Sequence, residues 1–236
     1  MTVSALILAA GRGERMRPLS DRTPKPLLSV QGRRLIEWHL LALARAGVRR
    51  VVVNTAWLEE QFEPALGDGA RYGLEILYSH EGRDHGGALE TAGGMKKALP
   101  LLGDSFWVVS GDVFVPTFSF DAEAVRRFEA SGQLARLWLT DNPPHHPGGD
   151  FGIRDGLAVR DAQTRFTWTS LGLFRRAFVE ELMADLPPGT KAPLRPYLDA
   201  AIERRVLGAE RWLEAWTDVG TPERLAALDA QGEHTA

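Results

Sequence analysis

Six side chains and two glycines near three points of this chain have types and spacings that could do chemistry. Arg12, Arg15, Arg17 and Lys25 lie within fifteen residues, in the stretch ALILAAGRGERMRPLSDRTPKP from Ala5 to Pro26. Gly11 and Gly13 sit among them and can take backbone angles closed to other residues, which lets a ligand approach the main chain. Such a loop suits a polyphosphate. Pro24 and Pro26 hold the backbone around Lys25 extended and limit how its ammonium can approach a ligand. Further on, Asp112 follows the apolar run FWVVSG, and Asp218 lies in WLEAWTDVGTPERL. Hard cations such as magnesium are held by one or two carboxylates together with substrate phosphate oxygens, and these two aspartates close two separate strands.

Each feature also has a plainer structural explanation. A bare G-x-G after a strand can be only a tight turn with solvated cations beside it. Asp112 can cap a turn, and around Asp218 the pair Thr221 and Pro222 is what a helix N-terminus needs without any ligand. The first segment is neither of the two commonest nucleotide loops. Met16 stands where the Rossmann fingerprint has its third glycine, and the Walker spacing is missing.

The elements that must position these residues follow from hydrophobic periodicity. Val3 to Ala9 is a continuous apolar run, as in a strand buried on both faces, and it ends at Gly11. Helices are predicted over Arg34 to Ala46, Trp57 to Leu66 and Thr91 to Leu99, with strands over Val51 to Val53, Leu74 to Tyr78 and Phe106 to Ser110. This alternation implies right-handed crossovers and a mainly parallel sheet covered on both faces. Past Phe120 the pattern becomes mixed. A helix is expected over Ala122 to Ser131, a strand over Ala135 to Thr140, and a polar loop, DNPPHHPGGD, from Asp141 to Asp150. A hairpin follows around Asp155-Gly156, then a strand over Phe166 to Phe174 and one near Trp212 to Trp216. The remaining helices are predicted over Arg176 to Met183, Leu194 to Arg204 and Pro222 to Ala230.

Composition narrows the function classes. The 236 residues are 44% hydrophobic and 25% charged, with net charge −3 and no cysteine. That removes disulfides and thiolate metal sites, and it leaves no basic footprint for nucleic acid, so an anionic substrate must be met by local cations. No apolar run reaches membrane-spanning length, and no apolar signal region follows Met1. The expectation is a cytoplasmic protein without nucleic-acid or membrane partners.

The run LAAGRGERMRPLS followed by PKP resembles the signature of the sugar-nucleotide pyrophosphorylases, L-A-A-G-x-G-x-R-M-x-P-L-T and P-K-P, with Ser20 in place of threonine. The G-D at Gly111-Asp112 and the W-x-D-x-G-T from Trp216 to Thr221 match the same family in the same order. The resemblance spans Val3 to about Leu228. It implies a three-layer α/β/α fold with a mixed, centrally parallel sheet, the nucleotide-diphospho-sugar transferase fold. It also implies one nucleotidyltransferase domain over 1–236, with a nucleotide-binding half at 1–120 and a sugar-phosphate-binding half at 121–236. The activity implied is Mg²⁺-dependent transfer from a nucleoside triphosphate, UTP foremost, to a sugar 1-phosphate.

By that resemblance Asp112 and Asp218 hold the magnesium, and Lys25 stabilises charge in the transition state, with Arg15 on the triphosphate side. Ala10, Gly11, Arg12 and Gly13 carry the nucleotide with Lys25, and Glu81 and Gly93 meet the base. The DNP-x-HH-x-x-GDF pattern, with Asn54 and Trp57, resembles the group that transfers uridylate to N-acetylmuramate 1-phosphate in peptidoglycan recycling. It places Asn142 and Asp150 at the sugar phosphate. One departure is a loop about four residues longer within Arg83 to Ala88, which leaves base selectivity open. Rivals are mannose 1-phosphate guanylyl transfer, a glycosyltransferase, and a non-catalytic sugar-nucleotide sensor. A glycosyltransferase would carry D-x-D where this chain has Gly111-Asp112-Val113-Phe114, and a sensor would have lost one of Lys25, Asp112 and Asp218. Neither the sugar nor the oligomeric state is fixed by sequence.

Overall fold

The computed structural model describes residues 3–232. Its strands are β1 (Ser4–Leu8), β2 (Ser29–Val30), β3 (Arg33–Arg34), β4 (Arg50–Thr55), β5 (Glu75–His80), β6 (Ser105–Ser110), β7 (Val113–Phe114), β8 (Ala135–Thr140), β9 (Gly152–Arg154), β10 (Leu157–Val159), β11 (Thr167–Arg175), β12 (Leu207–Arg211) and β13 (Thr217–Asp218). The helices are α1 (Leu35–Arg45), α2 (Phe62–Leu66), α3 (Glu81–His85), α4 (Glu90–Ala98), α5 (Ala122–Ala130), α6 (Arg176–Leu182), α7 (Arg195–Glu203) and α8 (Pro222–Gly232).

Nine strands form one sheet in the order β5-β4-β1-β6-β11-β8-β12-β10-β9. The first four are parallel, β11 runs antiparallel to both β6 and β8, and β12 is parallel to β8. Alternate residues of the central strands feed two apolar layers. Ala5, Ile7, Val51, Val53, Trp107 and Val109 pack with Ile36, Leu40 and Leu43 of α1, while Leu6, Val52, Phe106 and Val108 pack with Ala92, Met95 and Ala98 of α4. The apolar runs are continuous because both faces are covered.

The helix α1 shows how local sequence sets the frame. Glu37 at its third position accepts from Arg34 N at 3.1 Å, and the helix closes with Gly47 N on Ala44 O and Val48 N on Leu43 O, Gly47 taking φ +83°. This is the left-handed glycine stop. From β1 the chain crosses to β4 and β5 on one side, then returns past β1 to lay β6 on the other. The loops after β1 and β6 therefore leave the sheet at its switch point, where open α/β sheets form a crevice.

Three predicted elements differ from the structure. The strand expected at Trp212 to Trp216 is instead β12, at Leu207–Arg211, whose alternation was hidden by Gly208. The helix expected over Trp57 to Leu66 is broken by left-handed Leu58 into a 3-10 turn and α2. The loop expected within Arg83 to Ala88 is partly the short helix α3, tied down by the Glu81 carboxylate accepting from Leu89 N at 2.7 Å.

Candidate active site

The loop after β1 is shaped by its own small residues. Gly13 takes φ +64°, its carbonyl accepts from Met16 N and Ser20 Oγ at 2.9 and 2.8 Å, and a Cβ on it would lie 3.2 Å from the Cβ of Lys25. Gly13 is thus required both by conformation and by the passage of Lys25. Met16 is fully buried with Val30, Leu35, Phe114, Val219, Leu225 and Leu228. That small cluster fastens the loop to the segments that carry the two aspartates.

Lys25 is only 6% exposed, and its ammonium donates to Asp112 Oδ2 at 2.6 Å, while Ser110 Oγ donates to Asp112 Oδ1 at 2.6 Å. Burial by itself would raise the Asp112 carboxyl, but the Lys25 ammonium and the Ser110 hydroxyl outweigh it and hold the group below the ordinary aspartate value. Asp218 reaches the same place through a two-stranded ribbon. β13 pairs antiparallel with β7, Asp218 opposite Val113, and Val219 N donates to Asp112 O at 3.1 Å. The Asp218 Oδ2 accepts from Arg224 Nη1 at 2.9 Å, and His145 Nε2 lies 3.5 Å from it. Burial and the Arg224 guanidinium hold the His145 ring below its ordinary value.

Two pockets meet at these residues. One is lined by Leu8, Ala10, Gly11, Gly13, Lys25 and Asn54 with Ala88, Glu90 and Thr91 of the α4 entrance. The other is lined by Arg15, His145, His146, Trp168, Ser170 and Asp218. Ser110 and Asp112 line both. The two carboxylates share the second pocket, and among the described residues no group of three or more His, Asp or Glu side chains makes a protein-only metal cage. That donor set fits a hard cation that completes its shell from substrate and water.

Several expected residues lie elsewhere. Glu81 is fully buried and raised above its ordinary value by that burial; its oxygens accept from Leu89 N and Asn54 Nδ2, both at 2.7 Å. Asn54 Oδ1 in turn accepts from Ala9 N at 2.7 Å. Glu81 therefore braces the pocket wall instead of lining the pocket. Gly93 is also outside the lining, because it packs its bare Cα against the Thr190 carbonyl. Arg12 stacks on Trp57, 4.5 Å from the ring centroid, rather than lining either pocket. Asn142 bonds Thr167 Oγ1, Pro147 O and Arg165 O, and Asp150 accepts from Trp168 N and faces His146. These two organise the loop that presents His145 and His146. Sequence reasoning missed Ser110, Glu90, Thr91 and Ser170. Only Ser110 had a visible signal, standing directly before the G-D pair.

Beneath the site, His39 of α1 is 2% exposed and donates from Nε2 to Val113 O at 2.9 Å. Desolvation lowers its pKa from 6.5 to about 4. The unfolded chain thus binds a proton near pH 6.5 that the folded chain refuses until about pH 4. The stabilisation is complete above pH 6.5 and is lost as pH falls toward 4, by roughly 3 kcal/mol. In urea titrations at pH 7 and pH 4.5, His39→Gln should remove most of this pH dependence while keeping a donor for Val113 O. An unchanged dependence would refute the assignment.

Comparison with known proteins gives one matching family model, described as nucleotidyl transferase, over residues 4–156. The N-acetylmuramate alpha-1-phosphate uridylyltransferase of Neisseria meningitidis serogroup B is 43% identical, over 97% of each chain. The protein of the same name from Caulobacter vibrioides is 34% identical over 96% of each. A Bacillus anthracis structure solved as a candidate glucose-1-phosphate thymidylyltransferase superposes with a TM-score of 0.83 at 21% identity, covering 98% of this chain and 95% of that one. That likeness shows the nucleotide-diphospho-sugar transferase fold.

Proposed function

This chain belongs to the nucleotidyl transferase family, and we propose that within it the protein joins UTP and N-acetylmuramate α-1-phosphate, giving UDP-N-acetylmuramate and pyrophosphate. The observation that carries this reading is the meeting of two pockets at Ser110 and Asp112. A triphosphate in the first pocket and a sugar phosphate in the second would have their reacting ends at that common wall. The choice of base and sugar is supported by the two full-length relatives that carry this name.

In the reaction a sugar phosphate oxygen attacks the α-phosphorus in line, the bond to the bridging oxygen of the β-phosphate breaks, and pyrophosphate leaves with its electron pair. No covalent enzyme intermediate is required, so the protein supplies position and charge. The Gly11 to Gly13 backbone at the first pocket receives the triphosphate, and Arg15, expected on the triphosphate side, lies instead across the shared wall in the second pocket. Lys25, in the first pocket and bonded to Asp112 of the common wall, faces the phosphoryl oxygens whose charge is redistributed during the displacement. Asp112 and Asp218 would hold magnesium, which when bound neutralises phosphate charge. Among the described residues no helix is long and apolar enough to cross a membrane, in keeping with a cytoplasmic substrate.

The test is pyrophosphate release from each of UTP, ATP, GTP and CTP with a panel of sugar 1-phosphates. UTP should be preferred by at least about 10²-fold in kcat/KM, since a pocket built for one base edge leaves polar groups unpaired with another. A preference for GTP with mannose 1-phosphate would overturn the uridylyl reading in favour of guanylyl transfer.

A further inference from the structure

Asp112 immediately precedes β7 and Asp218 ends β13, and these two strands pair with each other, two residues from each, outside the nine-stranded sheet. A ribbon this short has little stability of its own. The placing of the two carboxylates must therefore come from what the ribbon is fastened to. Two fastenings come from α1. Trp38 meets Phe114 edge to face, with ring centroids 5.3 Å apart, and beside it His39 donates from Nε2 to Val113 O at 2.9 Å. The helix is a firm reference, since its Ile36, Leu40 and Leu43 are fully buried in the apolar layer shared with β1, β4 and β6.

The ladder shows why Val113 needs a partner from outside it. Asp112 O is taken by Val219 N at 3.1 Å. That makes Val113 and Asp218 the non-hydrogen-bonded pair of the ribbon, with the backbone groups of Val113 turned away from β13. Val113 is buried, and a buried carbonyl left unpaired is costly. The His39 ring, itself buried, meets that carbonyl from the side of the ribbon opposite β13. Packing alone would be served by an apolar side chain, without the desolvation of an imidazole.

We propose that His39 is a positioning residue for the metal site: by holding the Val113 carbonyl it fixes the β7–β13 ribbon, and with it the spacing of the Asp112 and Asp218 carboxylates. This rests on the assignment of those carboxylates to magnesium. Three variants of the full chain separate the hydrogen bond from packing. His39→Leu removes the donor, His39→Asn ends one bond short of Val113 O, and His39→Gln puts an amide N–H where Nε2 lies. In the metal-free protein, amide hydrogen exchange read by mass spectrometry should speed up about 10-fold over residues 112–114 and 217–219 in His39→Leu and His39→Asn, and stay at the wild-type rate in β1 and β4. In turnover, the magnesium concentration for half-maximal rate should rise about 10-fold in the same two variants, with KM for the triphosphate at saturating magnesium unchanged. His39→Gln should stay near wild type in both readouts. His39→Asn decides alone should His39→Leu not fold. Wild-type exchange over the two segments, exchange raised evenly through the sheet, or His39→Gln behaving like His39→Leu would overturn the role of the hydrogen bond. Residual turnover of Asp112→Asn with an unchanged magnesium dependence would instead overturn the metal reading on which it rests.

Discussion

Lys25→Met should lower kcat by about 10²-fold or more while changing KM for the triphosphate much less. On the proposed reading the Gly11 to Gly13 backbone would already meet the ground-state triphosphate, whereas charge on the α-phosphoryl oxygens and the departing pyrophosphate is reorganised only as the displacement proceeds. A cation in the first pocket, bonded to Asp112 at the shared wall, would act on that reorganisation. The structure adds a second consequence. Lys25 is what holds the Asp112 carboxyl low against its burial. Without the ammonium, the cation that offsets burial is gone, so the carboxyl rises and the acid limb of the pH–rate profile should move to higher pH. Steady-state kinetics across pH would check both. A large rise in KM with kcat and the acid limb unchanged would reduce Lys25 to uniform binding.

Asp112→Asn and Asp218→Asn should each reduce turnover by about 10³-fold or more, because each removes a negative charge from the donor pair while adding almost no volume. Their effects on stability should differ. Asp112 neutralises Lys25, whose side chain is 8% exposed, so Asp112→Asn strands a buried ammonium and should cost roughly 3 kcal/mol. Asp218 faces Arg224 and His145, whose side chains are 24% and 34% exposed and can reach water. Asp218→Asn should therefore change stability by less than about 1 kcal/mol. Chemical denaturation alongside kinetics separates the two, and full activity in either variant would contradict its place in the donor pair.

Much of this site was legible in sequence because its backbone demands are local. Gly11, Gly13 and Lys25 lie on one short loop after an apolar run, and Asp112 closes another such run, so their positions follow from strand ends alone. Asp218 was harder, since it comes to the site through the pairing of β13 with β7, two residues each, which no periodicity can reveal. Glu81 lies elsewhere than expected, within the pocket wall. The family resemblance implied base contact for it, but a buried carboxylate with a backbone N–H and an amide in reach turns inward to satisfy them. Asn142 and Asp150 likewise spend their polar atoms on the loop itself. Ser170 gave no signal at all, because its left-handed conformation is imposed by a register change between β11 and β8.

The most direct measurement is a phosphorus NMR time course of the purified protein with UTP, magnesium and N-acetylmuramate α-1-phosphate. The account predicts that the resonances of both substrates fall together while those of a uridine diphosphate sugar and pyrophosphate grow in equal amounts, with no change when the sugar phosphate is omitted. Pyrophosphate appearing without the sugar phosphate, or no product with both substrates present, would contradict it.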